Sequence, residues 1–244
     1  MTGATFVLVP GAGGSAWYWH RLVGELTGRG HRAIAVELPA GDDSAGLTEY
    51  AEAVLAAVAA AGRDGELVLV AQSMAGLIAP DLARRLPAAL VVLLNAMVPA
   101  PGELAGQWWG NTGQEEARRA LDLREGRPAD AEFDPVTYFL HDLPPELLGE
   151  AAANAPEQSG TPFGRPGPDV TWPDVPIKVL AGRADRFFPL EFQRRVARER
   201  LGADVGEVVE VPGGHLAALS YPAPLADRLE RCLAELTPAV PHRA

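Results

Sequence analysis

Ala71-Gln72-Ser73-Met74-Ala75-Gly76 is the stretch on which the reading of this chain turns. Ahead of it runs a short apolar segment of strand character, Leu67–Ala71, and behind it Met74–Leu86 has helical spacing. A serine at a strand-to-helix turn, with small residues two positions to either side, fits a nucleophile elbow. The requirement is steric: the turn is tight, so its neighbours must be small if Ser73 is to project its hydroxyl above the strands. The first N–H groups of the following helix then face negative charge that develops beside the hydroxyl. The usual form is Gly-x-Ser-x-Gly; here Ala71 and Ala75 replace both glycines, and Gly76 follows one step later. The same serine also fits a helix N-cap with no chemistry attached. Pro80 falls inside the helical stretch, where a proline costs roughly 3 kcal/mol and predicts a kink.

Two strand ends further along the chain weigh on that choice. After Ile177–Ala181 comes Gly182-Arg183-Ala184-Asp185, and after Glu207–Val211 comes Pro212-Gly213-Gly214-His215. Taken singly, Asp185 fits a turn aspartate and His215 a loop histidine. Together with Ser73 they stand in the chain order of a Ser-Asp-His triad, each just beyond a strand. Serine is unreactive at its free pKa and needs a base. A histidine can take and return a proton near neutral pH, and an aspartate orients the imidazole and stabilises its cation. The first strand, Thr5–Val9, runs into Pro10-Gly11-Ala12-Gly13-Gly14-Ser15. Such a turn brings a backbone N–H toward the elbow, which makes the Ala12 and Met74 amides the candidate oxyanion hole. Its glycines do not follow G-x-G-x-x-G, and there is no P-loop lysine and no H-E-x-x-H, so nucleotide, cofactor and metal roles find no support.

Apolar runs and helical patterns alternate along the chain. Trp17–Arg29 reads as a helix, Arg32–Leu38 as a strand, Leu47–Ala61 as a helix and Ala89–Leu94 as a fourth strand. The rhythm breaks from about Pro99 to Trp172 and resumes with Ile177–Ala181, Leu190–Leu201, Glu207–Val211 and Pro224–Leu236; the last few residues read as a loose tail. The expected fold is α/β, a mostly parallel sheet with helices on both faces and a short helical cap. Residues 1–98 and 171–244 form the core, and 99–170 the cap insertion. Ligands of such sheets sit beyond the carboxyl ends of the strands, where all the residues singled out above lie.

These stretches resemble the α/β-hydrolase superfamily, and within it the small branch of plant methyl-ester esterases and hydroxynitrile lyases. The resemblance is carried by Phe6–Trp19, His31–Leu38, Ala71–Gly76, Ile177–Pro189 and Val211–Leu219. It implies triad roles for Ser73, Asp185 and His215 and oxyanion donors at Ala12 and Met74. Two departures stand out. Pro10-Gly11 replaces the His-Gly usual after the first strand, and Leu216 stands where the lyases of the branch carry a lysine for the cyanide charge. Cyanohydrin cleavage is therefore disfavoured. Dehalogenases and epoxide hydrolases of the superfamily place an aspartate at the elbow, which Ser73 disfavours.

The chain has 244 residues, 48% hydrophobic and 22% charged, with a net charge of −11. These figures fit one globular α/β domain and exclude a disordered or collagen-like chain. Lys178 is the only lysine and the arginines are scattered, so there is no basic patch for nucleic acid. No apolar run reaches the roughly 18 residues of a membrane span. A single cysteine, Cys232, excludes a disulfide framework; it stands in an apolar helical stretch without the small-residue turn a nucleophile needs. Met1-Thr2-Gly3 leads straight into the first strand with no basic region or cleavage site, so a cytoplasmic location is expected. In the cap, Trp108, Trp109, Phe133, Tyr138, Phe139 and His141 crowd together. They fit either a substrate pocket over Ser73, with Leu216, or the cap's own core.

The resulting expectation is a cofactor-independent serine hydrolase that cleaves an ester of a small, largely apolar molecule, as a monomer or homodimer. The alternatives are a type II thioesterase on carrier-bound acyl groups, a lyase or cyclase on the same scaffold, and a non-catalytic ligand receptor.

Overall fold

The short apolar runs of the sequence pair side by side. Among the described residues six strands, β1 (Thr5–Val9), β2 (Arg32–Ala35), β3 (Leu67–Gln72), β4 (Ala88–Leu94), β5 (Ile177–Gly182) and β6 (Val208–Val211), form one sheet in the order β2-β1-β3-β4-β5-β6, every neighbouring pair parallel. The computed structural model describes residues 3–128, 130, 132–154, 157–202 and 207–236. Met1 and Thr2, read above for a leader, and the tail 237–244 lie outside them.

The chain runs β1 (Thr5–Val9), α1 (His20–Gly28), β2 (Arg32–Ala35), α2 (Leu47–Ala61), β3 (Leu67–Gln72), α3 (Ala79–Arg85) and β4 (Ala88–Leu94). A segment with α4 (Trp108–Thr112), α5 (Gln114–Arg124), α6 (Pro145–Ala153) and α7 (Thr161–Gly164) follows. The chain then returns to the sheet as β5 (Ile177–Gly182), α8 (Leu190–Leu201), β6 (Val208–Val211), α9 (Ala217–Ser220) and α10 (Pro222–Ala234). Among the described residues no helix is long and apolar enough to cross a membrane.

The strands read as continuous apolar runs because both faces of the sheet are covered. Successive side chains point to opposite faces. Val7, Leu69, Ala71, Val91 and Leu93 pack with residues of α2, α3 and α8. Phe6, Leu8, Val68, Val70 and Val92 pack on the other face with α1 and α10, where Cys232 is also buried. Burial and the nearby Glu235 push the Cys232 thiol above its usual pKa, the opposite of what a nucleophilic cysteine needs.

One expected helix is two elements. Met74–Leu86 begins as a 3₁₀ turn over Ser73–Leu77, breaks at Ile78, and resumes as α3 at Ala79. Pro80 therefore sits in the first turn of a new helix, where its missing N–H has no partner to lose, and it initiates α3 instead of kinking it. The second strand stops at Ala35 and not at Leu38, because beyond Val36 the chain turns toward the loop after β1, with Leu38 N–H donating to Gly14 O at 2.8 Å.

The topology fixes where a ligand belongs. From β1 the chain moves to one side to make β2, then returns to the other side of β1 to make β3. Loops leaving the ends of β1 and β3 diverge there and leave a crevice. Val9 is in register with Ala71, so the glycine turn after β1 stands directly beside Ser73.

Candidate active site

Ser73 closes β3 in the left-handed region, with φ of +51°. For a residue with a side chain that conformation costs about 1–3 kcal/mol and has to be held by its surroundings. Gly76 supplies much of the hold. A Cβ there would lie 2.2 Å from Met97 O, so only glycine lets the turn close against the end of β4, where Met97 N–H donates to Ser73 O at 2.9 Å. Gly11 matters equally from the other side, since a Cβ would lie 2.7 Å from Ser73 Cβ. The alanines at 71 and 75 are buried without obstruction; the positions where this turn needs glycine are 11 and 76.

His215, 97% buried, places Nε2 3.0 Å from Ser73 Oγ and Nδ1 2.8 Å from Asp185 Oδ2. Asp185 Oδ1 accepts the backbone N–H groups of Phe187 at 2.9 Å and Phe188 at 2.8 Å. A carboxylate oxygen accepts, so the imidazole carries its proton on Nδ1 and leaves Nε2 free to receive the serine hydroxyl proton. Phe139, Phe187 and Phe188 surround the ring with centroids 5.2, 5.3 and 5.0 Å away. They pack against the ring and restrict its rotation.

Three polar residues that the sequence reading passed over tie the strand ends together. Asn95, fully buried at the end of β4 with φ of +45°, donates from Nδ2 to Gly214 O at 3.0 Å and His215 O at 3.1 Å. Its Oδ1 accepts Gly182 N–H at 2.7 Å, at the end of β5. Gln72 accepts Gly11 N–H on Oε1 at 2.9 Å and donates from Nε2 to His215 O at 3.3 Å. Gln193 on α8 reaches Asp185 Oδ2 at 3.5 Å and Phe188 O at 2.8 Å. Nothing local marks Gln193, within α8, whereas Gln72 and Asn95 are polar residues at the ends of apolar strands, which is a signal worth following.

Above Ser73 lies a cavity of about 710 Å³, within the range of roughly 300–1,000 Å³ usual for small-molecule sites. Ala12, Met74 and His215 line it with Ser73. Trp17 and Tyr18 from the segment after β1, Trp109, Phe139 and Phe163 from the β4–β5 segment, and Phe187 give its wall an aromatic character. Leu216 also lines it. None of the described lining residues is Asp, Glu, Lys or Arg. Desolvation holds the Tyr18 phenol far above its ordinary pKa, so the phenol stays neutral.

Trp108 and Tyr138 lie outside that wall. Trp108 is fully buried, donates Nε1–H to Val98 O at 2.9 Å, and packs on Phe188 and Phe192, so the indole belongs to the core beneath the segment. As a neighbour in α4, Trp109 points elsewhere and reaches the cavity. Tyr138 turns inward to a polar cluster, donating to Asp122 Oδ2 at 2.8 Å and receiving Arg118. His141 is not in the wall either. It donates Nε2–H to Ala184 O at 3.1 Å, beside Asp185, while the next residue, Asp142, accepts Gly214 N–H at 2.6 Å. The β4–β5 segment thus touches both the aspartate loop and the histidine loop. Among the described residues no three His, Cys, Asp or Glu side chains gather closely enough to hold a metal ion.

The sequence pattern of the alpha/beta hydrolase family matches residues 6–228. The probable esterase PIR7A of Oryza sativa subsp. indica is 32% identical over 268 residues, spanning 96% of this chain and 98% of that protein. A pyrethroid hydrolase of Sphingobium wenxiniae is 27% identical, spanning 94% of this chain and 87% of its own length. Among solved structures, a pyrethroid hydrolase from Sphingobium faniae superposes with a TM-score of 0.73 at 24% identity, over 94% of this chain and 97% of that one.

Proposed function

The chain belongs to the alpha/beta hydrolase family, and from that premise we propose that it is a cofactor-independent serine esterase acting on uncharged, largely apolar esters. The observation that carries the reading is the Ser73–His215–Asp185 line, at 3.0 and 2.8 Å, on the floor of an apolar cavity. Relatives named as esterases and as a pyrethroid hydrolase support ester cleavage.

In this reading Ser73 Oγ attacks the ester carbonyl and gives its proton to His215 Nε2. Asp185 holds the imidazole in place and stabilises its positive charge. The carbonyl oxygen becomes an oxyanion, met by the Ala12 and Met74 N–H groups. His215 then protonates the departing alcohol and leaves an acyl-Ser73 ester. Water enters and attacks the acyl carbonyl as His215 takes its proton; His215 then returns that proton to Ser73 Oγ as the acyl–oxygen bond breaks and the acid is released. Residues 99–170 act as the cap, and Trp109, Phe139 and Leu216 as substrate contacts. The charge-free wall supports an uncharged acyl group, since a charge buried there would lack a partner.

Turnover of p-nitrophenyl esters tests this. Acetate to octanoate and benzoate esters should be cleaved, a hemisuccinate poorly, and Ser73→Ala should lose at least about 10⁴-fold in kcat while keeping the fold. Full activity in Ser73→Ala removes the mechanism. Cleavage of carrier-bound thioesters in preference to all simple esters replaces the substrate class.

A further inference from the structure

The turn after β1 offers four successive backbone N–H groups. Gly11 N–H donates to Gln72 Oε1 at 2.9 Å, Gly13 N–H to Gln158 Oε1 at 2.9 Å, and Gly14 N–H to Gly11 O at 3.1 Å. Among the described residues Ala12 N–H has no partner. The turn does not specify itself strongly: Gly13 and Gly14 have φ of +84° and +62°, and glycine has the widest backbone freedom. The direction of the Ala12 N–H therefore depends on what grips its two neighbours.

One grip comes from Gln72, next to the nucleophile. The other comes from the cap, 145 residues along the chain. The Gln158 amide has a single compatible orientation. Gly13 N–H can only donate and Ser159 O can only accept, so Oε1 faces the first and Nε2 the second, at 2.8 Å. Nε2 also donates to Tyr50 OH at 3.0 Å. Ser159 is anchored in turn, through N–H to Ala40 O at 2.7 Å and Oγ to Asp43 Oδ1 at 2.8 Å. The glutamine is thus braced from behind against the loop after β2.

We propose that Gln158 is a positioning residue for ester hydrolysis: by holding Gly13 N–H it aims Ala12 N–H at the oxyanion, so the cap builds part of the oxyanion hole that it also covers. This rests on the Ser73 esterase reading given above. Gln158 touches no reacting atom in this role and acts through the loop.

The test compares Gln158→Met, close in shape but without the amide, with the unaltered enzyme. Its kcat on a p-nitrophenyl ester should fall about 10- to 100-fold, with KM changing less than about threefold. Inactivation by a fluorophosphonate should slow in parallel, and the amides of residues 11–15 should exchange hydrogen faster. Unchanged kcat with raised KM would make Gln158 a substrate contact only and overturn the proposal, as would unchanged loop exchange. Should Gln158→Met not fold, the unaltered protein still decides: by NMR the Gly13 amide should exchange more slowly than that of Ala12, and the reverse order overturns the proposal. An unaltered enzyme without ester turnover would instead overturn the esterase reading itself.

Discussion

Two glycine loops face each other across Ser73, one after β1 and one after β6. Both leave the carboxyl end of a strand, and both contain a glycine in the left-handed region, Gly13 at +84° and Gly213 at +98°. Backbone and carboxylate partners bond both, Leu38 N–H at Gly14 O and Asp142 at Gly214 N–H, but the buried side-chain amides take them in opposite senses. Amides take the histidine loop by its carbonyls, with Asn95 on Gly214 O and His215 O and Gln72 on His215 O. They take the loop after β1 by its N–H groups, through Gln72 and Gln158. Under the proposed mechanism the difference follows from what each presents. A loop that offers a side chain can have its backbone bonded throughout, whereas a loop that offers an N–H must leave that one group unpaired and secure its neighbours. Gln72 serves both with the two ends of one amide.

The largest effect expected from breaking this arrangement is on the histidine side. Asp185→Asn should lower kcat about 10³- to 10⁴-fold, because an amide there favours the wrong imidazole tautomer. Steady-state kinetics with a folded variant checks this, and a loss under tenfold would mean that His215 is oriented by other groups. Next comes Asn95→Ala, which leaves Gly214 O, His215 O and Gly182 N–H buried without that partner. It should destabilise the protein by about 2–4 kcal/mol in urea unfolding. A smaller loss would place the grip of the histidine loop elsewhere.

Gln72→Met sharpens the comparison, since it releases one bond on each loop. An effect of about 10- to 100-fold on kcat is expected, with faster amide exchange in both loops, whereas Gln158 variants loosen only the loop after β1. Exchange confined to one loop would show that Gln72 does not couple them. The smallest effect concerns the contact of the β4–β5 segment with the aspartate loop. Burial, and then the Arg186 guanidinium, hold His141 below the ordinary imidazole pKa, against Asp142 and Asp185, which pull it up. As pH falls through about 6.5, the unfolded chain takes up this proton before the folded one does, so stability declines on the acid side. His141→Gln retains a donor for Ala184 O but cannot titrate, and should reduce that acid-side decline in urea unfolding. Equal declines in the two proteins would mean that His141 is not linked to folding.

The legible parts of this molecule were those with a local cause. Fully covered parallel strands read as apolar runs, and the three residues Ser73, Asp185 and His215 stood out because each follows such a run. What escaped has a non-local cause. Gln72, Asn95 and Gln158 act on backbone groups 61, 119 and 145 residues away, and no local spacing announces such bonds. The break at Ile78 escaped because apolar spacing continues across it, although Pro80 marked the place. Trp108 and Trp109 are neighbours in sequence, and which one meets the cavity depends on the packing of α4 against Phe188.

The most direct measurement is mass spectrometric mapping of the enzyme after reaction with a fluorophosphonate probe, alongside residual turnover. One adduct per chain on Ser73, with ester turnover lost in proportion, is expected. An adduct on another residue, or turnover that survives full modification of Ser73, would contradict the assignment of Ser73 as the nucleophile.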